Sequence, residues 1–296
     1  MKTLKYLLFG IGGIILIGII WGLIEPYFLD TEEQVAVIPN LPESWEGKRV
    51  AQISDLQIGM WLDNDPTVRD SIEDIIEERP NLVLISGDFI YHALDNPDPK
   101  ISDVVNYVRP LTEAGIPTYA VLGNHDYSVT SRDQDAKEEL ANQLETALEE
   151  IGIPVLQNEA VSLASPENGN DSLYLVGIGS YVAQKSDPQK ALAGVPDNSP
   201  RIVMMHNPDT FASIPPNAAP FSVAGHTHGG QIRVPFSPEW SWMNLVTEGE
   251  VHADGWIPDY GAEGNELYVN RGIGFSVLPI RINCPPEVTY FTLESQ

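Results

Sequence analysis

The sequence predicts an α/β fold in which two sheets pack together, preceded by one transmembrane helix. Strand-like and helix-like segments alternate from residue 48 to about residue 152. Short strand-like segments, joined by loops rich in glycine and proline, dominate after residue 153. An uncharged apolar run occupies residues 6–24. Alternating strands and helices are typical of a parallel α/β core, and we expect the later strands to form a second sheet packed on the first.

The run at residues 6–24 predicts a membrane anchor, which we assign to residues 1–24. At about 1.5 Å per residue, a helix of this length nearly crosses a hydrocarbon layer of roughly 30 Å. No small-x-small cleavage site follows it, which favours a retained anchor over a signal peptide. Lys2 and Lys5 precede the run, so the positive-inside rule places the N-terminus in the cytoplasm. We therefore expect a single-pass membrane protein whose large domain is extracytoplasmic.

The anchor leads into a segment that predicts a tether. Residues 25–46 contain three prolines and several acidic residues, and one domain is expected at residues 47–296. Within the anchor, Gly18 and Gly22 form a small-xxx-small pair that could support helix dimers, although glycine is common in membrane helices. The oligomeric state stays open.

The chain is strongly acidic, with 42 acidic against 16 basic residues and a formal net charge of −26. Such a surface repels nucleic acid and anionic membrane faces, so no nucleic-acid partner is expected. Cys284 is the single cysteine, which excludes an intramolecular disulfide.

Apolar periodicity gives the elements in order. We predict early strands at residues 48–54, 82–85 and 117–122. Helices are expected at residues 65–79, 101–111 and 140–151, with Asp65 capping the first helix and Pro66 in its first position. Later strands are expected near residues 153–156, 172–178, 201–205, 220–224, 267–270 and 288–293.

Side chains able to bind metal ions follow five of these strands. They are Asp55, Asp88, Asn124 with His125, His206, and His226 with His228. Any one alone could be a turn residue or a buried structural histidine. Together, at strand ends that meet in one crevice, they predict a metal centre. Two cations about 3.5–4 Å apart neutralise phosphoryl oxygens and activate water, and mixed nitrogen and oxygen ligands suit Mn, Fe or Zn.

Three short motifs carry a family resemblance: GD at residues 87–88, GNHD at 123–126 and GHTHGGQ at 225–231. With the closing LPIR and CPPE stretches, the chain from about residue 49 to 293 resembles the calcineurin-like metallophosphoesterases, in particular a membrane-anchored bacterial subgroup. The resemblance implies a two-sheet metallophosphoesterase sandwich flanked by helices. It also implies a binuclear centre of divalent metal ions, for which we expect Mn first and Fe or Zn as alternatives.

The resemblance also implies residue roles. Asp55 and His228 would bind the first metal ion, and Asp88 would bridge both. The second ion would be bound by Asn124, His206 and His226. His125 would protonate the leaving group, oriented by Asp126.

One position departs from the family pattern, which opens with Asp-x-His. This chain has Gln57 where the histidine is expected, and a neutral amide oxygen is a weaker and harder ligand than imidazole. We therefore expect Gln57 to weaken the first site and shift it toward Mn²⁺. The alternative is a non-catalytic or weakly active metal-binding scaffold.

The expected function is hydrolysis of a phosphoester in or near a membrane, with a phospholipid, a glycolipid pyrophosphate or another phosphodiester as substrate. A lipid A precursor pyrophosphatase, as in one branch of the family, would need a site that faces the cytoplasm. A phosphodiesterase associated with the cell wall suits the predicted orientation better.

A few further residues have weaker signals. The aromatic segments at residues 60–62 and 235–243 could grip an acyl chain or pack as a local lid. Arg233 and Arg271 could contact phosphate, although structural pairing is favoured. His252 is expected to be a non-ligand, and His92 is a weak candidate near the substrate path.

Overall fold

The computed structural model describes residues 2–62, 64–91, 97–165, 172–234, 237–246 and 251–296. The α-helices are α1 (Lys2–Ile24), α2 (Asp65–Glu78), α3 (Pro97–Glu113), α4 (Glu138–Glu150), α5 (Pro188–Leu192) and α6 (Met243–Val246). The first strands are β1 (Asp30–Ile38), β2 (Arg49–Ile53), β3 (Leu82–Ile85), β4 (Thr118–Ala120), β5 (Glu159–Ala164), β6 (Ser172–Ile178) and β7 (Arg201–Met205). The later strands are β8 (Ser222–Ala224), β9 (Arg233–Val234), β10 (Ser237–Ser241), β11 (Gly255–Trp256), β12 (Leu267–Val269) and β13 (Glu287–Ser295).

The strands form two main sheets and one small ribbon. The first sheet has the order β1-β13-β2-β3-β4, in which β2, β3 and β4 are parallel and β13 runs antiparallel to β2. The second has the order β11-β12-β8-β7-β6-β5, with a parallel centre and antiparallel outer strands. Strands β9 and β10 form the ribbon.

Period-two burial in the strands builds three apolar layers. In β2, Val50 faces the second sheet, while Ala51 and Ile53 face helices α2, α3 and α4. A third layer covers the outer face of the second sheet. The architecture is therefore a two-sheet α/β sandwich flanked by helices, as predicted.

The structure differs from the predicted tether at residues 25–46. Residues 30–38 form β1, which pairs in parallel with the whole of β13 at the edge of the first sheet. Its exposed positions are Thr31, Glu33, Val35 and Val37, and its last inward side chains, Ala36 and Ile38, are buried. Helix α1, the predicted anchor, is thus followed by an integral strand of the domain.

Three smaller expectations also change. Residues 288–293 belong to the first sheet instead of the second, and residues 153–156 contribute only an isolated bridge between Val155 and Ala120. Helix α2 has Asn64 as its N-cap, so Asp65 is its first residue.

Among the described residues, one helix is long and apolar enough to cross a membrane, with its candidate span at Leu8–Tyr27. Of the two glycines considered for helix pairing, Gly18 has open space around the position of a β-carbon. Gly22 instead packs against Ile280 and Ile282 of its own chain. The small surface at Gly22 is therefore used within the molecule.

Candidate metal centre

The predicted metal-binding side chains converge at the carboxyl ends of the central strands of both sheets. Asp55 and Gln57 follow β2, and Asp88 follows β3. The second sheet supplies His206 after β7, and His226 and His228 after β8. Parallel strands deliver these ends to one edge, so residues far apart in the chain meet there.

The tightest group consists of Asp88, His206 and His226, whose potential ligand atoms all lie within 4.8 Å of one another. His206 is fully buried, and its Nδ1 lies 2.7 Å from the carbonyl oxygen of Ser86. This hydrogen bond fixes the ring and directs Nε2 inward. Nε2 then lies 3.1 Å from Oδ2 of Asp88.

A second group lies beside the first and shares Asp88 with it. Nε2 of His228 is 3.4 Å from Oδ1 of Asp55, whose other oxygen accepts a hydrogen bond from the backbone N–H of His226 at 2.9 Å. The amide nitrogen of Gln57 donates to Oδ2 of Asp88 at 3.0 Å and lies 3.4 Å from Nε2 of His228. Asp88 and Gln57 thus connect the two groups.

Several polar atoms at this centre are buried without a hydrogen-bond partner among the described residues: Oδ1 of Asp55, Oε1 of Gln57 and Nε2 of His206. Such atoms carry a desolvation cost unless something satisfies them. When Nδ1 of His206 donates to Ser86, Nε2 and the Asp88 carboxylate face each other as two acceptors. Only a proton or a cation between them removes that repulsion, so the residues present fit divalent metal ions.

The pKa values of the histidines agree with this chemistry. Burial lowers the pKa of both His226 and His228 to about 4, which keeps their rings in the neutral form that binds metal ions. Burial also opposes protonation of His206, but the carboxylates of Asp88 and Asp55 outweigh it and raise its pKa to about 9. Without a cation, a proton would occupy the position between His206 and Asp88.

The GNHD segment places its residues on two sides of Asp88. The Nδ2 group of Asn124 donates to the carbonyl of Val129 at 2.8 Å, and its Oδ1 accepts from Asn207 at 3.3 Å. The backbone N–H of His125 donates to Oδ1 of Asp88 at 2.8 Å. The ring of His125 stacks on Tyr91 and places Nδ1 2.6 Å from the carbonyl oxygen of that residue.

Asp126 differs from its predicted role. Its buried carboxylate accepts four backbone hydrogen bonds, from Asp88, Phe89, Ile90 and Gly123, at 2.8–3.1 Å. The carbonyl of Tyr91 contacts Nδ1 of His125 at 2.6 Å and helps to orient the ring. Asp126 holds the loop that carries Asp88.

The charge state of Asp126 follows from those contacts. Burial and then the nearby Asp88 charge raise its pKa to about 7, whereas the N–H donors oppose the shift. If the carboxyl group were neutral, its O–H would point at a backbone N–H, because each of its two oxygens already accepts two hydrogen bonds. We therefore treat the group as a carboxylate.

The backbone around the centre is unusual. Asp55, Gln57, Asp88, His226 and His228 all have left-handed φ values, between 50° and 74°. This region is uncommon for residues with a β-carbon and costs of order 1–3 kcal/mol each when sparsely populated. The motif glycines allow the close packing: a β-carbon on Gly87 would lie 2.6 Å from the nitrogen of Gly123. One on Gly225 would overlap Ser54 and Asp55.

Two residues at the site were given no role from the sequence, although Arg281 belongs to the LPIR stretch. Oδ1 of Asn207 accepts from Ser180 at 2.9 Å and from the N–H of Tyr181 at 2.8 Å, so it fastens a neighbouring loop while its amide donates to Asn124. Arg281 is fully buried under the GHTHGGQ segment. It donates to the carbonyl of Gly272 at 3.0 Å and approaches that of His228 at 3.5 Å.

The weaker candidates lie elsewhere. Arg233 pairs with Asp254 at 2.9 Å, and Arg271 pairs with Glu287 at the same distance. Both arginines therefore have structural partners. His252 stacks on Tyr260 with 3.7 Å between ring centroids, and His92 lies outside the described residues.

A cleft of about 220 Å³ opens over the centre. Its floor is formed by Asp88, His226 and His228. Trp242, Met243 and Val277 are among the residues of its walls. The arrangement gives a phosphoryl group access to the metal-binding side chains from one direction.

An α/β sandwich with clustered carboxylate and imidazole ligands at its strand ends defines a metal-binding hydrolase. Residues 48–230 match the model of the calcineurin-like phosphoesterases, and the chain belongs to this family. It is a metal-dependent phosphoesterase that uses divalent metal ions.

Three relatives illustrate the range of the family. The phosphodiesterase YaeI of Escherichia coli is 34% identical over 229 residues, which cover 76% of this chain and 75% of that protein. The UDP-2,3-diacylglucosamine pyrophosphatase LpxG of Chlamydia muridarum is 27% identical over 303 residues, with coverages of 90% and 89%. A transmembrane protein with a metallophosphoesterase domain from Danio rerio is 28% identical over 295 residues, with coverages of 93% and 60%.

Proposed function

We propose that the chain is a membrane-anchored, binuclear metal-dependent hydrolase of a lipid-linked phosphoester. The candidates are a phospholipid, a glycolipid pyrophosphate and another membrane-associated phosphodiester. The observation that carries the proposal is the convergence of Asp88, His206 and His226 within 4.8 Å. Asp55 and His228 lie beside them. Among the described residues, buried Oδ1 of Asp55 and Nδ1 of His228 have no hydrogen-bond partner.

The proposed ligands fall into two sets that share Asp88. Asp55, Gln57 and His228 would hold the first ion, and Asn124, His206 and His226 the second. For Gln57, rotation of the amide by 180° would exchange the atom that faces Asp88, so that Oε1 takes the place of the nitrogen. Mn²⁺ suits this oxygen-rich set, with Fe or Zn as alternatives.

When bound, two divalent ions neutralise phosphoryl oxygens and supply a hydroxide-like nucleophile. The protein residues then have separate tasks. His125 protonates the leaving oxygen; because Nδ1 faces the carbonyl of Tyr91, the proton passes through Nε2. Asp126 fixes the loop of Asp88 through four N–H groups. Ser86 fixes the ring of His206.

A membrane-bound substrate is supported by two observations. The part of the chain that the structure describes has one helix long and apolar enough to span a membrane. In addition, a relative similar over 90% of the chain is named for a diacylated sugar nucleotide. We propose a single-pass topology with an extracytoplasmic domain, based on Lys2 and Lys5 before the apolar run.

A second candidate function is a weakly active or non-catalytic metal-binding scaffold. It is favoured by Gln57, whose amide nitrogen already donates to Asp88 and lies against His228. A donor in that position competes with a cation for both groups. Metal stoichiometry combined with activity separates the two candidates.

The test uses the full chain in detergent, loaded with Mn²⁺. Metal content is measured together with hydrolysis of a bis-aryl phosphate and of a bacterial lipid extract. We expect two ions per chain, and His125→Ala should lower the rate about 10²–10⁴-fold without changing metal content. His252→Ala is the matched control, since this histidine stacks on Tyr260 away from the centre. A chain that binds metal but hydrolyses neither substrate would establish the scaffold instead.

A further inference from the structure

The end of the anchor helix is hydrogen-bonded into the domain, next to the metal cleft. The carbonyl of Gly22 accepts from the N–H of Arg281 at 2.9 Å. The carboxylate of Glu25 is buried and accepts from the backbone N–H groups of Asn283, at 2.9 Å, and Cys284. The indole of Trp21 also donates to it. The helix therefore leaves the membrane already docked to residues 281–284.

Two further hydrogen bonds hold the chain that follows the helix against the domain. The hydroxyl of Thr67, in the first turn of α2, donates to the carbonyl of Pro26 at 2.8 Å. The chain then enters β1, where the N–H of Asp30 donates to the carbonyl of Pro286 at 2.8 Å. From Gly22 to Asp30, contacts on two sides of the helix end hold it to the domain.

Backbone hydrogen bonds continue from this junction to the wall of the cleft. The N–H of Ile282 donates to Gln231, and that of Arg233 donates to Ile282, both at 2.9 Å. The N–H of Trp242 donates to Ile232 at 3.0 Å. We call these joined segments the platform and define it as residues 231–234, 240–243 and 276–284.

The platform connects the helix end to the cleft over a short distance. Val277 lines the cleft, and Arg281 is bonded to the helix. Because an extended chain spans at most about 3.6 Å per residue, these two residues are within about 14 Å of each other. The interfacial region on each side of a bilayer is roughly 5–8 Å thick. The wall of the cleft thus lies within about two thicknesses of that region from the residue to which the anchor helix is bonded.

The surface of the platform suits a membrane interface. In a chain with 42 acidic residues, its three segments contain no Asp or Glu, and both of its arginines are buried. It exposes Val234, Trp240, Val277 and Leu278 by 48–59%. Exposed apolar and aromatic side chains next to a membrane helix are typical of interfacial contact. An acidic domain can approach lipid on this side because these segments carry no acidic side chain and the adjacent Asp254 is paired with Arg233 at 2.9 Å.

The geometry points to the platform as a membrane-binding surface: it lies in the headgroup region of the leaflet that α1 leaves, and the cleft receives its phosphoester substrate directly from that leaflet. This inference rests on the proposed membrane anchoring and names where the substrate enters. The occupant is the bilayer, because the apolar helix of the same chain ends on this surface.

The test measures depth with nitroxide labels, on the full chain reconstituted in phosphatidylcholine vesicles. Labels are placed at Leu278→Cys on the platform, at Ile15→Cys in the anchor, and at Val37→Cys on β1 as an exposed apolar control. The native Cys284 is buried and gives the background. The measured quantity is the accessibility of each label to oxygen divided by its accessibility to a nickel chelate, which rises with depth in the bilayer. We expect this ratio to be severalfold higher for the label at position 278 than for the label at position 37. It should be lower at position 278 than at position 15.

Two variants test whether the docked helix sets that depth. A side chain at Gly22 would collide with Ile280, whereas Gly18 has open space around it. We expect Gly22→Leu to lower the accessibility ratio at 278 toward that at 37, and Gly18→Leu to leave it unchanged.

If the labels at positions 278 and 37 had equal accessibility ratios while the label at position 15 lay inside the bilayer, the platform proposal would be overturned. The anchor itself would remain supported. A water-exposed label at 15 would instead overturn the anchoring itself. If Gly22→Leu left the ratio at 278 unchanged, the docked helix would not be what positions the cleft.

Discussion

Asp126 offers the sharpest test of how the centre is built. Each of its carboxylate oxygens accepts two backbone N–H groups: Oδ1 from Phe89 and Ile90, and Oδ2 from Asp88 and Gly123. Asp126→Asn keeps the shape but turns one oxygen into an NH₂ group, which leaves two buried N–H groups facing a donor. At about 1–3 kcal/mol for each unsatisfied group, unfolding becomes easier by about 2–6 kcal/mol. That is a large part of the roughly 5–15 kcal/mol typical of a whole domain.

Thermal unfolding of the full chain in detergent, with metal ions removed, measures this loss. For a domain of this size, 1 kcal/mol shifts Tm by about 2–4 °C, so we expect a decrease of about 4–24 °C. Asp103→Asn, at an exposed position of α3, is the control and should leave Tm unchanged. A normal Tm combined with lost activity would refute this reasoning and restore the role of Asp126 in orienting His125.

Three further predictions concern the centre and its support. Gln57→His should tighten metal binding at the first site about tenfold or more and shift its preference from Mn²⁺ toward Zn²⁺. The reason is that imidazole is a better ligand for these ions than an amide oxygen. Metal titration measures both effects. Gly123→Ala should abolish metal retention after dialysis, since its β-carbon would overlap the carboxylate of Asp88. Burial raises the pKa of Glu287, partly offset by Arg271, so the folded state holds that proton more tightly than the unfolded chain. The contribution of this proton to the free energy of unfolding is fully present below the ordinary pKa of a glutamate. It disappears as the pH rises through the raised pKa of Glu287 in the folded protein. The urea midpoint of the wild type relative to Glu287→Gln should therefore fall from acidic toward neutral pH.

The glycine and glutamate predictions each have a matched control. Gly194→Ala has open space and an ordinary backbone, so it should retain metal ions as the wild type does. Glu294→Gln, at an exposed position, should show no comparable pH trend. Unchanged metal preference in Gln57→His would mean that residue 57 does not contact the ion, and an opposite pH trend for Glu287 would contradict its raised pKa.

The positions of the site residues were predictable because they depend on topology. Asp55, Asp88 and His206 follow apolar runs, and parallel strands bring their ends to one edge. The contacts of Asp126 were not predictable, since its partners are backbone groups of a loop more than thirty residues away. Nothing in a sequence shows which way an amide such as Gln57 points.

The edge strand β1 shows a different difficulty. Its first five residues are acidic or polar and only its end is buried, so the sequence has the composition of a linker. Its pairing with β13 depends on a segment some 250 residues away. Local composition could not reveal a strand whose partner is that distant.

The left-handed backbone at the metal-binding residues has a consequence for engineering. Replacing Asp55 or His226 by glycine would relieve conformational strain while deleting a proposed ligand. Selection of this protein for heat resistance alone would therefore favour loss of the centre, because its residues lower the stability of the chain that carries them. A stabilised version has to be selected for bound metal and for melting temperature together.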